Sequence, residues 1–279
     1  MRTAATGTTS AADAAPRGWA VGIAHGQGER DYQQDRYVIG SKTGADELHL
    51  VIADGMGGAE DGEAIAEAAV RAVGGALDDL GRPGSAAGFG EVIAAIEAVS
   101  AEVLAQHRTF GGSTLIACWA AADRTWFASV GDSPLFLRRA ERLFELGRRH
   151  EYRLDLWRQV LNGTLTLDEA EADPQADALA SFIGCEHLSI DRTFHPIALE
   201  PGDTLLACTD GVSDTLSQGE LRTILGLAPR LAADTLARRI ESDGIAHQDN
   251  YTAIVARYYP GTLKPTDRLS RKDSNHEYR

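Results

Sequence analysis

Five aspartates stand at the ends of short apolar runs, and their spacing is the chemically informative feature of this chain. Asp54 closes VIAD, Asp132 closes SVGD and Asp210 closes LLACTD; Asp35 and Asp249 stand just before the runs at 36–39 and 251–259. Strand termini converge along a sheet edge, so carboxylates placed there can face one shared space. Carboxylates within ~4–6 Å repel one another and raise each other's pKa, a cost that a divalent cation reverses. A donor set of oxygens with few His or Cys selects Mg²⁺ or Mn²⁺ over zinc. Taken singly, each aspartate has a plainer reading. Asp54-Gly55 and Asp210-Gly211 are hairpin-type pairs, Asp249-Asn250 can open a turn, and Asp132-Ser133 can cap a loop. Those readings do not account for the series.

The elements that must position these residues follow from apolar periodicity. Runs at 19–25, 47–54, 113–121, 125–132, 134–139, 188–195, 203–210 and 251–259 are β-rich or alternating and bounded by Gly, Pro and Asp, which predicts strands. Two amphipathic helices are expected between the strands at 47–54 and 113–121. One, at 62–80, carries Ile65, Ala69, Val73, Ala76 and Leu80 on one stripe; the other, at 89–107, carries Val92, Ile96, Val99 and Val103. Ser217 and Glu220 form a capping-box signature at a helix start, and a further helix is expected over 230–241. Strand clusters separated by helix pairs predict α+β layers rather than alternating βαβ units. The spacing of 113–139 predicts antiparallel hairpin pairing. A charged segment at 147–187 reads as a largely helical insertion at an edge or over a site. The ends, 1–17 and 260–279, read as polar tails around one domain at 18–259. The basic residues of the second tail are either a docking element or simply solvated.

Composition removes several classes. Asp and Glu number 41 against 27 Lys and Arg, a net charge of −14, which argues against nucleic acid and against an anionic membrane surface. No stretch approaches the ~20 apolar residues of a membrane span, and residues 1–17 lack the apolar core of a signal peptide. Three cysteines cannot build a disulfide framework. Cys118 and Cys208 sit inside apolar runs, as buried thiols in a reducing compartment do. A cytoplasmic monomer is the expectation.

Six short motifs then carry a family resemblance. RDYQQDR (30–36), VIADGMGG (51–58), GGST (111–114), SVGDS (129–133), LLACTDGVSD (205–214) and DNYTAIV (249–255) resemble, in order and approximate spacing, the successive motifs of the PP2C-type (PPM) metal-dependent serine/threonine protein phosphatases. The resemblance spans about 19–259 and is nearest the bacterial branch, which has Met-Gly-Gly after Asp-Gly. It implies a four-layer αββα sandwich of two antiparallel sheets flanked by helix pairs, with two Mn²⁺ or Mg²⁺ ions at one end. Carried over by motif, Asp54 bridges the ions and is catalytic, the carbonyl of Gly55 ligates one, and Asp210 and Asp249 complete the site. Asp35 sits beside it as a metal residue, either ligating an ion directly or supporting one that does; Asp132 contributes to a third, weaker metal, and Arg30 grips the substrate phosphate. The implied reaction is hydrolysis of phosphoserine or phosphothreonine on a protein substrate by a water bridging the two ions. The implied partners are that phosphoprotein and a cognate serine/threonine kinase. Segment 147–187 falls where the family has its flap.

The chain also departs from the pattern. Gln34 stands where many members have Glu, so it adds no charge. Met56 takes the place of a histidine found in eukaryotic members, which leaves water to protonate the leaving group. Pro134 follows Gly-Asp-Ser where Arg is common, and the usual Thr-x-Asp-His-Ser segment is not clear; His150 is either its remnant or a surface-helix histidine. Arg148, Arg149, Arg153 and Arg158 either meet an acidic partner or lie on a solvated face. Cys118 and Arg124 have Cys-x5-Arg spacing but lack the glycine-rich nest a thiolate nucleophile needs. Ser113 lacks the closing glycine of a nucleophile elbow. The serious alternative is a catalytically weak or inactive phosphatase fold that binds a phosphoprotein or kinase. The presence of Asp54, Gly55, Asp210 and Asp249 argues against it, while Gln34 and the altered flap leave it open.

Overall fold

The computed structural model of the chain describes residues 18–40, 47–57, 59–80, 86–107, 111–242 and 247–260. The tails expected at 1–17 and 260–279 lie outside these residues, save Pro260. One sheet has the order β1 (Gly18–Gly26), β12 (Tyr251–Tyr259), β11 (Thr204–Cys208), β7 (Leu135–Arg139) and β8 (Arg142–Leu146). The other has the order β10 (Ile197–Ala198), β6 (Arg124–Val130), β5 (Leu115–Ala121), β3 (Glu47–Gly57) and β2 (Asp35–Gly40). In this sheet β4 (Gly111–Ser113) pairs with the end of β3, and β9 (Asp191–Arg192) pairs with β6. These pairings are antiparallel.

Successive side chains of a strand point to opposite faces, so each central strand feeds two cores. In β3, Leu48, Leu50 and Ile52 enter the layer between the sheets, while Val51 and Ala53 pack beneath α1 (Ala59–Asp79) and α2 (Ala86–His107). In β11 and β12, Leu205, Ala207, Ile254 and Ala256 face the inter-sheet layer. Leu206, Cys208, Ala253 and Val255 face α6 (Gln218–Ile224) and α7 (Pro229–Ser242). Helices, sheet, sheet and helices therefore stack as the expected αββα sandwich. Burial on both faces explains why these strands read as nearly continuous apolar runs.

The helices follow the periodicity with small shifts. Ile65, Ala69 and Val73 of α1 are buried, but the next core position is Leu77, one residue beyond Ala76 and a full turn after Val73. Ser217 caps α6 reciprocally with Glu220, each side chain accepting from the other's backbone N–H. No helix among the described residues is long and apolar enough to cross a membrane.

Three expectations need correction. The 113–139 meander is a hairpin only through β6; residues 131–134 then cross to the other sheet, where β7 pairs with β11 and with β8. Strand β8 escaped the reading because it is largely exposed and carries Arg142 and Glu145. The run at 188–195 contributes only the two residues of β9. Segment 147–187 is mostly turns around α3 (Arg153–Leu161) and α4 (Leu167–Glu171), closed over a small core of Leu156, Ala170 and Ala176.

Candidate active site

The β2–β3 register places Asp35 directly opposite Asp54, so two carboxylates lie on neighbouring strands. Strand β3 does not stop at Asp54; it continues to Gly57 by pairing with β4. The carbonyl of Asp54 accepts from Ser113 Oγ and from the Thr114 N–H, each at 2.9 Å, and its own N–H donates to Thr114 Oγ1 at 3.1 Å. Asp210-Gly211 is not a hairpin turn either: Asp210 opens the short helix α5 (Asp210–Ser213) straight after β11. A Cβ on Gly211 would lie 2.0 Å from the Asn250 carbonyl oxygen, and one on Gly55 would lie 2.1 Å from that of Gly62. These two glycines let α5 and α1 close on the strand ends that carry the aspartates.

Arg30 belongs to the loop joining β1 and β2. Buried Asn250 holds that loop: its Nδ2 donates to the carbonyls of Gln27 and Tyr32, and its Oδ1 accepts from the Gln34 N–H, each at 2.8 Å. Arg30 Nη2 then meets Asp249 Oδ2 at 2.5 Å, with 57% of the arginine side chain still exposed. Asn250 lies in the DNYTAIV motif, but nothing in the sequence distinguishes its bridging role from that of an ordinary turn asparagine.

These segments surround a cavity of about 220 Å³ lined by Arg30, Asp54, Gly55, Asp132, Asp210 and Asp249, with Gln34 and Met56 beside them. Asp35, expected to ligate or support a metal, does not line it: it is fully buried, which leaves it the supporting position. Its Oδ2 accepts from Thr209 Oγ1 at 3.0 Å and Thr252 Oγ1 at 2.6 Å, and His25 Nδ1 lies 2.9 Å from the same Thr252 hydroxyl. Neither threonine was singled out in the sequence. Burial outweighs the two hydrogen bonds and pushes the Asp35 carboxyl up to about 7, with Asp210 and Asp249 adding to the rise. Burial and then its four acidic neighbours hold Asp54 well above the usual carboxylate range. Asp132 is pushed up to about 6 by burial and then by Asp210. Asp210 is raised by burial and then by Asp249 and Asp214.

The donor set fits hard divalent cations. It is all oxygen, and Oδ1 of Asp35 and Oδ1 of Asp210 are buried with no hydrogen-bond partner. Among the described residues no group of three or more His, Cys, Asp or Glu side chains is drawn tightly enough to hold a cation as placed. Asp249, for one, turns an oxygen to Arg30. That contact is one a cation would replace.

Other candidates resolve differently. Cys118 is buried in β5, its thiol pushed up to about 11, which leaves no thiolate at neutral pH. Ser113 is fully buried with its hydroxyl donated to backbone carbonyls, as a framework residue is. His150 is not on a surface helix: it is buried, accepts from the Gly131 N–H at 3.1 Å on Nδ1, and ties segment 147–187 to the residue before Asp132. Arg148, Arg149, Arg153 and Arg158 each face a carboxylate of this chain, namely Asp191, Glu145, Asp177 and Asp155. They form no free basic row.

A two-sheet sandwich with an acidic cavity at the strand ends and an arginine at its mouth describes a phosphate-handling class. The profile of the protein phosphatase 2C family matches residues 24–249, and the chain belongs to that family of phosphomonoester hydrolases. Bacterial phosphatases match it along most of its length. Protein phosphatase PhpP of Streptococcus pneumoniae is 29% identical over 234 residues, covering 82% of this chain and 93% of PhpP. The crystal structure of the Mycobacterium tuberculosis serine/threonine phosphatase PstP/Ppp superposes with a TM-score of 0.69 at 26% identity, covering 86% of this chain and 98% of that one. The serine/threonine phosphatase of S. agalactiae shares the fold, with a TM-score of 0.75 at 22% identity, covering 86% of this chain and 100% of its own.

Proposed function

We propose that this protein is a divalent-cation-dependent phosphatase that acts on phosphoserine and phosphothreonine in protein substrates. The observation that carries the reading is one cavity bringing Arg30, Asp54, Asp132, Asp210 and Asp249 together from separate segments, with two buried carboxylate oxygens unpartnered around it. The catalytic domain of PstP, a neighbour in fold, was solved in complex with two manganese ions. In this chain Asp54, the Gly55 carbonyl, Asp210 and Asp249 would hold two Mn²⁺ or Mg²⁺ ions, and Asp132 would contribute to a third. Such ions supply charge that shields phosphoryl oxygens and the acidity that makes water a nucleophile at neutral pH.

The chain's own residues do the rest. Arg30, more than half exposed and seated by the Asn250-bound loop, can turn from Asp249 and hold two phosphate oxygens with its planar fork. Asp35, braced by Thr209 and Thr252, fixes the field felt by Asp54 from beneath. Met56 carries no exchangeable proton and no histidine among the described residues lines the cavity, which leaves water to protonate the leaving oxygen. Residues 18–259 would act as one catalytic domain. Within it, 147–187 is the flap, joined to β4 by the Ser113–Ile183 bridge. A cytoplasmic monomer opposing a serine/threonine kinase completes the proposal.

The test is release of phosphate from an aryl phosphate and a phosphothreonine peptide with Mn²⁺, then with chelator. Turnover that needs the metal supports the reading. Folded, Mn²⁺-supplied protein without turnover supports the binding-module alternative, which the uncharged Gln34 at the cavity wall favours.

A further inference from the structure

A second cavity, of about 520 Å³, adjoins the acidic one, and Met56, Gly57 and Leu179 line both. Its other walls include Leu104 from α2 and Phe182, with Cys185 and Glu186 also lining it. Among the described residues its walls carry one charged side chain, Glu186, and the rest are apolar or small, apart from the Cys185 thiol. It is open and largely apolar, of a size ordinary for a small-molecule or side-chain site.

The walls are held in place by backbone contacts. The Ser113 N–H donates to the Ile183 carbonyl at 3.3 Å, the Ile183 N–H donates back at 2.8 Å, and the Gly184 N–H donates to Ser100 Oγ at 3.0 Å. A Cβ on Gly112 would meet the Phe182 ring at 2.4 Å and Met56 Cε at 2.7 Å, so this glycine is what lets both side chains lie over β4. These contacts fix the walls at β4 and 182–184, and the partition from the acidic cavity includes Met56, the residue that follows Asp54-Gly55.

We propose that this chamber is a substrate subsite that receives the side chain next to the phosphorylated residue, and that it takes a large aliphatic or aromatic one. The inference rests on the phosphatase reading above. An extended peptide advances about 3.3 Å per residue, so a phosphoresidue in the acidic cavity brings its neighbour to a chamber on the other side of a shared wall. Apolar walls favour Leu, Phe or Met there, and Glu186 disfavours an acidic neighbour. Burying such a side chain in place of glycine is worth a roughly 10- to 100-fold gain in kcat/KM.

The experiment uses the full chain with Mn²⁺ and phosphothreonine peptides that differ only in the residue on one side of the phosphothreonine, then on the other. The flanking residue is Leu, Phe, Gly or Asp, and an aryl phosphate serves as reference. The expected result is that Leu or Phe exceeds Gly by about tenfold or more on one side, with Asp poorest. The Leu:Gly ratio of kcat/KM collapses in Leu104→Trp, which fills the chamber. It also collapses after alkylation of wild-type Cys185, the one cysteine of three that is not fully buried. Equal rates for Leu, Phe, Gly and Asp on both sides, with aryl phosphate still hydrolysed, overturn the subsite and leave the phosphatase reading standing. A Leu:Gly ratio unchanged by both Leu104→Trp and alkylation overturns it as well. Absence of turnover on every substrate, aryl phosphate included, overturns the phosphatase reading and the subsite with it.

Discussion

Asp35→Asn is expected to stabilise the metal-free protein while weakening its function. Asp35 is fully buried, with two threonine hydroxyls on Oδ2 and no partner on Oδ1. Without cations its carboxyl is held at about 7 against an ordinary 3.8. Ionising it in the fold rather than in the unfolded chain therefore costs on the order of 4 kcal/mol. Because the folded pKa is the higher one, the native state keeps a proton that the unfolded chain gives up between these two values. Stability accordingly falls as pH rises from about 4 to about 7 and stays low above that. Asparagine retains one acceptor for Thr209 and Thr252 and cannot ionise. Its amide nitrogen, lodged where Oδ1 has no partner, returns about 1–3 kcal/mol of the gain. In chelator, urea denaturation should find the variant more stable than wild type by about 1–3 kcal/mol at pH 8 and level with it or below it near pH 4.5. With Mn²⁺ the gap at pH 8 should close or reverse, because the wild-type anion then has a cation to face. A wild type as stable as the variant at pH 8 in chelator would refute the electrostatic reasoning.

Asp210→Asn should keep the fold, seen as an unchanged circular dichroism spectrum, and lose about 10²–10³-fold or more in kcat on aryl phosphate. Asn250→Ala removes the three hydrogen bonds that seat the Arg30 loop. It should cost about 2–4 kcal/mol in denaturant titration and raise KM more than it lowers kcat, as loss of phosphate positioning does. Native protein should show one reactive thiol to a chromogenic disulfide reagent and three after denaturation. Burial shields Cys118 and Cys208 and raises both thiols, Cys208 the more strongly.

The layered architecture was legible because its central strands are buried on both faces and its helices on one, and each pattern has its own period. Runs such as 48–53 and 205–208 therefore stood out, and Ser217 with Glu220 marked a helix start through local chemistry alone. Strand β8 did not stand out, because an exposed edge strand is free to carry Arg142 and Glu145. Segment 147–187 looked helical from its charge, yet Gly163, Pro174 and Gly184 interrupt it, and only a three-residue core organises the remainder. At the cavity, the aspartates were visible because a run of carboxylates after apolar strands is costly without a purpose. Thr209, Thr252 and Asn250 were not, since a Thr or Asn at or beside a strand end is ordinary until its partner, 174 to 223 positions away, is known. His150 was misplaced for the same reason: nothing nearby in sequence announces that Gly131 donates to it.

Phosphatase chemistry at this cavity requires that the carboxylates bind divalent cations as a group. Calorimetric titration of Mn²⁺ into chelator-stripped protein at pH 7.5, alongside Asp210→Asn, tests it most directly. Two equivalents bound by wild type, with at least one lost in the variant, is the predicted result; no saturable binding, or binding identical in both proteins, would contradict it.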